Sequence, residues 1–151
     1  MWVVDNGSTD DSVAWLHAHQ SPRVQLVKLD QNLGFAAGYN EGLKHIDAEV
    51  YVLLNSDVRM DGPWVEPVLA AMEEHGWDVA SPLLVQDVRP SMCEHAGAAG
   101  GWMDKDGYPF CLGRLFESVE PVDAWLAQNR EVFWASGCLL YTSDAADEHS
   151  W

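Results

Sequence analysis

The chain is short of positive charge. Eight Lys and Arg stand against 24 Asp and Glu in 151 residues, for a formal net charge of −16. Nucleic-acid phosphates need clustered cations, so that class of partner is excluded. A small phosphorylated ligand is not excluded, because a divalent cation can supply positive charge locally. Cysteine is scarce too. Cys93, Cys111 and Cys138 are widely spaced, with no CxxC or Cys/His metal spacing, and are expected as reduced thiols. No apolar run approaches the length of a membrane span, and no secretory leader pattern opens the chain. The expected location is the cytoplasm, with peripheral attachment at the inner face of the membrane as the alternative. Only 7 prolines and a hydrophobic content of 48% point to a globular chain, long enough for one domain with a core.

What is present is an alternation. WVVD (2–5) reads as a strand, and NGSTDD follows as a turn rich in capping residues. Helical spacing then carries Val13 and Leu16 to about His19, with Ser8, Thr9 or Asp10 as N-cap. RVQLVKLD (23–30) is a second strand, followed by the small-residue loop QNLGFAAGYN and a short helix through Ile46. EVYVLLNSDV is the third strand. Pro63 introduces the helix WVEPVLAAMEEHG, closed by Gly76, and DVASPLLVQD reads as a further strand. Beyond residue 90 the pattern loosens into a glycine-rich stretch with a hairpin, then a final strand in EVFWASGCLLY. Apolar strands alternating with helices predict an α/β fold, its sheet mostly parallel with helices on both faces.

In open α/β sheets, ligands bind beyond the carboxyl ends of the strands. Asp5, Asp30 and Asp57 fall at that edge, and Asn55 and Asp57, two apart, point the same way. Two readings of Asn55-Ser56-Asp57 stand on pattern alone. It is a turn signal, or Asp57 ligates a divalent cation whose other positions are filled by diphosphate oxygens and water. Asp5 accepts hydrogen bonds only, which suits the N3–H of uracil or thymine and rejects cytosine; it equally suits a helix cap. Asp30 reads as a turn residue. In the loop NLGFAAGYN, Asn32, Gly34 and Gly38 support close approach of backbone to a ligand or to the sheet. Trp102, in a glycine-rich segment, is the tryptophan best placed by sequence to stack on a ligand ring. The six histidines show no ligand spacing.

Four of these pieces, VVDNGSTDDS, NLGFAAGYNEGL, YVLLNSDV and WASGCLL, together resemble the inverting family 2 glycosyltransferases, above all their rhamnosyltransferase-like branch in bacteria. The resemblance runs from residue 3 to about 140. It implies the nucleotide-diphospho-sugar transferase fold called GT-A. It further implies that Asp5 contacts a pyrimidine base, that Asn55 lies against the ribose, and that Asp57 holds Mg²⁺ or Mn²⁺ on the diphosphate. Ser136 and Gly137 would fall at the floor of the acceptor site, with Trp102 as a further acceptor candidate.

The chain departs from the family at both ends. The chain opens on what is the family's second strand, so the family's first strand is expected to be missing. After Leu140, YTSDAADEHSW does not resemble the segment that carries the family's general base, and Asp147-Glu148 comes too soon and in the wrong order. Residues 1–140 are thus expected to be a partial GT-A domain and 141–151 a divergent tail, not of native origin on one reading. The expected activity of the complete enzyme is transfer of a sugar from a UDP- or dTDP-sugar, with inversion, to a hydroxyl on a saccharide or lipid-linked saccharide, and the chain as given is expected to be inactive for lack of the general base. That activity belongs to the synthesis of bacterial surface polysaccharide. The rival readings are a nucleotide-binding fragment without catalysis, for lack of the base, and a sugar nucleotidyltransferase.

Overall fold

The computed structural model describes residues 1–143 other than Gln20, Ala96, Ala127 and Gln128. The chain divides into two units, Met1–Ala48 and Glu49–Trp151.

In the first unit, β1 (Trp2–Asp5) pairs in parallel with β2 (Gln25–Lys28), in register from Trp2 with Gln25 to Asp5 with Lys28. Parallel neighbours need a crossover, and α1 (Ser12–Ala18) supplies it. β2 is shorter than the expected 23–30, because its ladder lasts only as long as the four residues of β1. α1 also starts later than expected, with Asp11 at its N-cap and no side-chain cap bond. The carboxylate of Asp10 accepts the Ser12 N–H at 3.0 Å in the preceding turn. α2 (Phe35–Leu43) takes up most of the stretch expected as loop. Gly42 lets it lie against β1, since a Cβ there would fall 2.6 Å from Val4 Cγ2. Val27 and Leu29 are buried in this unit.

The second unit begins with β3 (Val50–Leu54) and α3 (Val65–His75). Gly76, at φ 65°, takes the left-handed conformation that ends α3. β4 is only Val79–Ala80; Pro82, without an N–H, cannot extend the ladder. The expected hairpin is formed by β5 (Gly101–Met103) and β6 (Pro109–Cys111), and a smaller one by β7 (Arg114–Leu115) and β8 (Ser118–Val119). A 3₁₀ turn at Val122–Ala124 precedes the last strand, β9 (Leu139–Ser143).

β9 lies between β3 and β4 and runs antiparallel to both. The fold is α/β, but a mostly parallel sheet is corrected: among the described residues only β1 and β2 pair in parallel. Apolar strands report burial on both faces and say nothing of the direction of a neighbour. The final strand is also shorter than EVFWASGCLLY, because Trp134 instead bridges to Gly101 in the hairpin.

The core of this unit is Tyr141, Leu139 and Met72, surrounded by Val52, Leu54, Val68 and Leu69. The Tyr141 ring meets Trp64 edge-on at 6.0 Å, and its hydroxyl donates to the Trp64 carbonyl at 3.2 Å. β9 passes without a break through position 140, so Tyr141, Thr142 and Ser143 belong to the sheet. Residues 144–151 of the expected tail, Asp147 and Glu148 included, lie outside the described residues. Among those described, no helix is long and apolar enough to cross a membrane.

Candidate active site

The first half of the site candidates stands at the carboxyl ends of β1 and β2. Asp5 is the last residue of β1 and is only 5% exposed. Its backbone carbonyl accepts the Leu29 N–H, while its carboxylate accepts the Ser8 N–H at Oδ2, at 3.3 Å. Among the described residues that is the one hydrogen bond recorded to the carboxylate. A buried carboxylate ordinarily takes several donors, so Asp5 has capacity left for a ligand N–H. Asp30 is exposed and stands two residues past the end of β2, not at a strand end as expected.

Asn6 was not singled out by sequence, yet it organises this edge. Its Oδ1 accepts the Leu33 N–H at 3.0 Å, and its Nδ2 donates to the Gly34 carbonyl at 2.9 Å and to Asn32 Oδ1 at 3.3 Å. Asn32 Oδ1 in turn accepts the Gly34 N–H at 2.8 Å. Gly34 has φ 82° and ψ −177°, a conformation essentially restricted to glycine. Gly38 is buried beneath Asn6, with room for no Cβ: one would lie 2.7 Å from Asn6 Nδ2. The expected supporting residues Asn32, Gly34 and Gly38 are thus brought together, by a side chain whose own signal, an Asn before a Gly after a strand, reads locally as a mere turn.

The remaining candidates belong to the second unit and are described by themselves. Asn55, Ser56 and Asp57 follow β3 directly, Asn55 half-buried and Asp57 exposed. Asp57 therefore stands three residues beyond the strand, in a turn. The Asn55 N–H donates to the Cys138 carbonyl at 3.0 Å, and the Cys138 N–H donates to Ser136 Oγ at 3.3 Å. Pairing of β3 with β9 brings these two segments together, Leu54 facing Leu139. The Asn-Ser-Asp and Ser-Gly-Cys segments are therefore neighbours. Trp102 sits on β5, 44% exposed and opposite Phe110. Its hairpin is tied to the chain just ahead of Ser136, for the Gly101 N–H donates to the Trp134 carbonyl at 2.9 Å.

A metal at Asp57 would need most of its ligands from elsewhere. Among the described residues no three His, Cys, Asp or Glu gather to hold an ion. Arg59, the nearest cation in sequence, is engaged by Asp87 at 2.8 Å, and no ion pair with Asp57 is recorded among the described residues. That is compatible with Mg²⁺, which binds through one or two carboxylates plus phosphate oxygens and water. A hollow of about 660 Å³ lined by His17, Ser21, Val24 and Lys28, among others, contains none of the candidate residues and no carboxylate.

A buried carboxylate and small-residue turns at the carboxyl ends of β1 and β2 match the layout in which α/β proteins take up their ligands. The family model of glycosyl transferase family 2 matches residues 1–89, more than half of the chain, and the chain belongs to that family. Its mixed α/β architecture is consistent with the GT-A fold. Polypeptide N-acetylgalactosaminyltransferase 11 of Xenopus tropicalis is similar to it, 29% identical over 86 residues, which is 54% of this chain and 14% of that protein. The chain thus spans about 14% of the length of this curated relative. No solved structure matches it.

Proposed function

We infer that the chain is the nucleotide-binding part of a glycosyltransferase that takes a UDP- or dTDP-sugar with Mg²⁺ or Mn²⁺. The observation that carries this reading is Asp5, buried at a strand end with one long hydrogen bond to its carboxylate among the described residues. An N3–H donor from uracil or thymine fills that deficit, whereas N3 of cytosine is itself an acceptor. Asn55 lies against the ribose and Asp57 on the metal-bound diphosphate. When bound, the cation offsets charge developing on the diphosphate leaving group. Ser136, linked to Asn55 by two hydrogen bonds through Cys138, and its neighbour Gly137 form the acceptor side with Trp102. The attack of an acceptor hydroxyl proceeds with inversion. Within the family, the Asn-Ser-Asp sequence favours the rhamnosyltransferase-like branch. With that branch come a saccharide or lipid-linked acceptor, bacterial surface polysaccharide as the product, and a cytoplasmic site of action.

Calorimetry on the full chain tests the reading. UDP or dTDP with Mn²⁺ should bind at least tenfold more tightly than CDP. Equal affinity for CDP, or no affinity for any of the three, would count against it. Asp5→Asn should lose most of the preference for UDP, since its amide can turn a donor towards the base.

A further inference from the structure

We propose that Asn6 is a positioning residue that orders the edge of the base site next to Asp5, by holding the 31–34 loop in one conformation. This rests on the nucleotide reading above and adds to it a residue with no assigned role. β1 and β2 are parallel neighbours, so the loops that leave their carboxyl ends lie side by side. Gly7 is pressed onto the second loop, with a φ of +73° and no room for a Cβ, which would fall 2.4 Å from the Gln31 carbonyl carbon. Asn6, between Asp5 and Gly7, then grips that loop through Leu33, Gly34 and Asn32.

The grip needs an amide. A carboxylate could accept from Leu33 but could not donate to the Gly34 carbonyl, and an aliphatic side chain could do neither. The residues it holds, Asn32, Leu33 and Gly34, are themselves exposed. Asn6 and the buried Gly38 beneath it are what anchor them. Its contribution is therefore to the order of a ligand-facing edge, reached through the loop and not by touching a ligand.

The test uses the full chain with MnCl₂ and two probes, UDP and inorganic pyrophosphate, well below the unfolding temperature of each variant. Asn6→Ala should weaken UDP at least tenfold and leave pyrophosphate unchanged, because the loop adjoins Asp5, the residue read as the base contact. Asn6→Asp, which keeps one of the three bonds, should fall between Asn6→Ala and wild type. Gly38→Ala should resemble Asn6→Ala, since its Cβ displaces the amide. UDP affinity kept in both Asn6→Ala and Gly38→Ala overturns the proposal, as does an equal loss for pyrophosphate. Where Asn6→Ala fails to fold, Asn6→Asp carries the test, and wild-type UDP affinity in it overturns the proposal. A wild-type chain that binds neither UDP nor dTDP overturns the nucleotide reading, and this inference with it.

Discussion

Asp57 stands exposed beyond a strand end, while Tyr141 is fully enclosed, and solvent treats the two oppositely. Asp57 keeps its hydration in the folded chain, so its removal costs the fold little. Asp57→Asn should leave the unfolding midpoint within about 0.5 kcal/mol of wild type, yet abolish most of the Mn²⁺ enhancement of UDP binding. Titration with and without metal checks this; an undiminished enhancement would remove Asp57 from the metal. Burial, and after it the charge of Glu66, raises the Tyr141 phenol to about 12 from its ordinary 10.0. The unfolded chain then ionises first. The stability this group confers is complete below about pH 10 and is lost as pH rises towards 12, at no more than about 1.4 kcal/mol per pH unit. Tyr141→Phe should cost about 1 kcal/mol at neutral pH, through the lost bond to the Trp64 carbonyl. It should also flatten the alkaline decline. Urea midpoints at several pH values measure both, and an identical decline in the variant would show that other groups cause it.

Two helix glycines separate backbone strain from packing at the level of the element. Gly76 has open space around it but a φ of +65°, so Gly76→Ala should destabilise by about 1 kcal/mol through strain alone. Gly42 lies inside α2, where alanine would ordinarily gain up to about 1 kcal/mol. Its Cβ, however, would meet Val4 Cγ2 at 2.6 Å and Cγ1 at 2.9 Å, and overpacking costs about 1–3 kcal/mol. Crowding should win, making Gly42→Ala a net loss; a stabilised variant would show that α2 shifts freely on β1. The same pair shows what sequence could and could not convey. Gly76 was legible as a helix end because a local rule governs it, and β1, β3 and the β5–β6 hairpin were legible from local apolar runs and turns. Gly42, the antiparallel course of β9 between β3 and β4, and the grip of Asn6 on Leu33 depend on residues 26 or more positions distant. No local pattern encodes them. Of the site candidates, sequence placed Asp5 at its strand end correctly, whereas Asp30 and Asp57 fall beyond theirs.

For the whole molecule the dominant quantity is the net charge of −16. A compact chain holds those charges closer together than an unfolded one, so self-repulsion lowers its stability. Exposed charges are screened within about 8 Å at physiological ionic strength, and screening relieves the repulsion. The melting temperature should therefore rise by several degrees, on the order of 1–2 kcal/mol, between 20 and about 300 mM NaCl. Screening depends on ionic strength and not on the identity of the cation, so tetramethylammonium chloride should produce the same rise as NaCl. Mn²⁺ separates screening from the proposed metal role of Asp57, because a cation held there by diphosphate would act at a concentration too low to screen. With 150 mM NaCl present, micromolar Mn²⁺ alone should leave the melting temperature unchanged, and Mn²⁺ with UDP should raise it further. A rise with Mn²⁺ alone would mean that the acidic surface itself binds the ion, and that Asp57 needs no diphosphate to hold it.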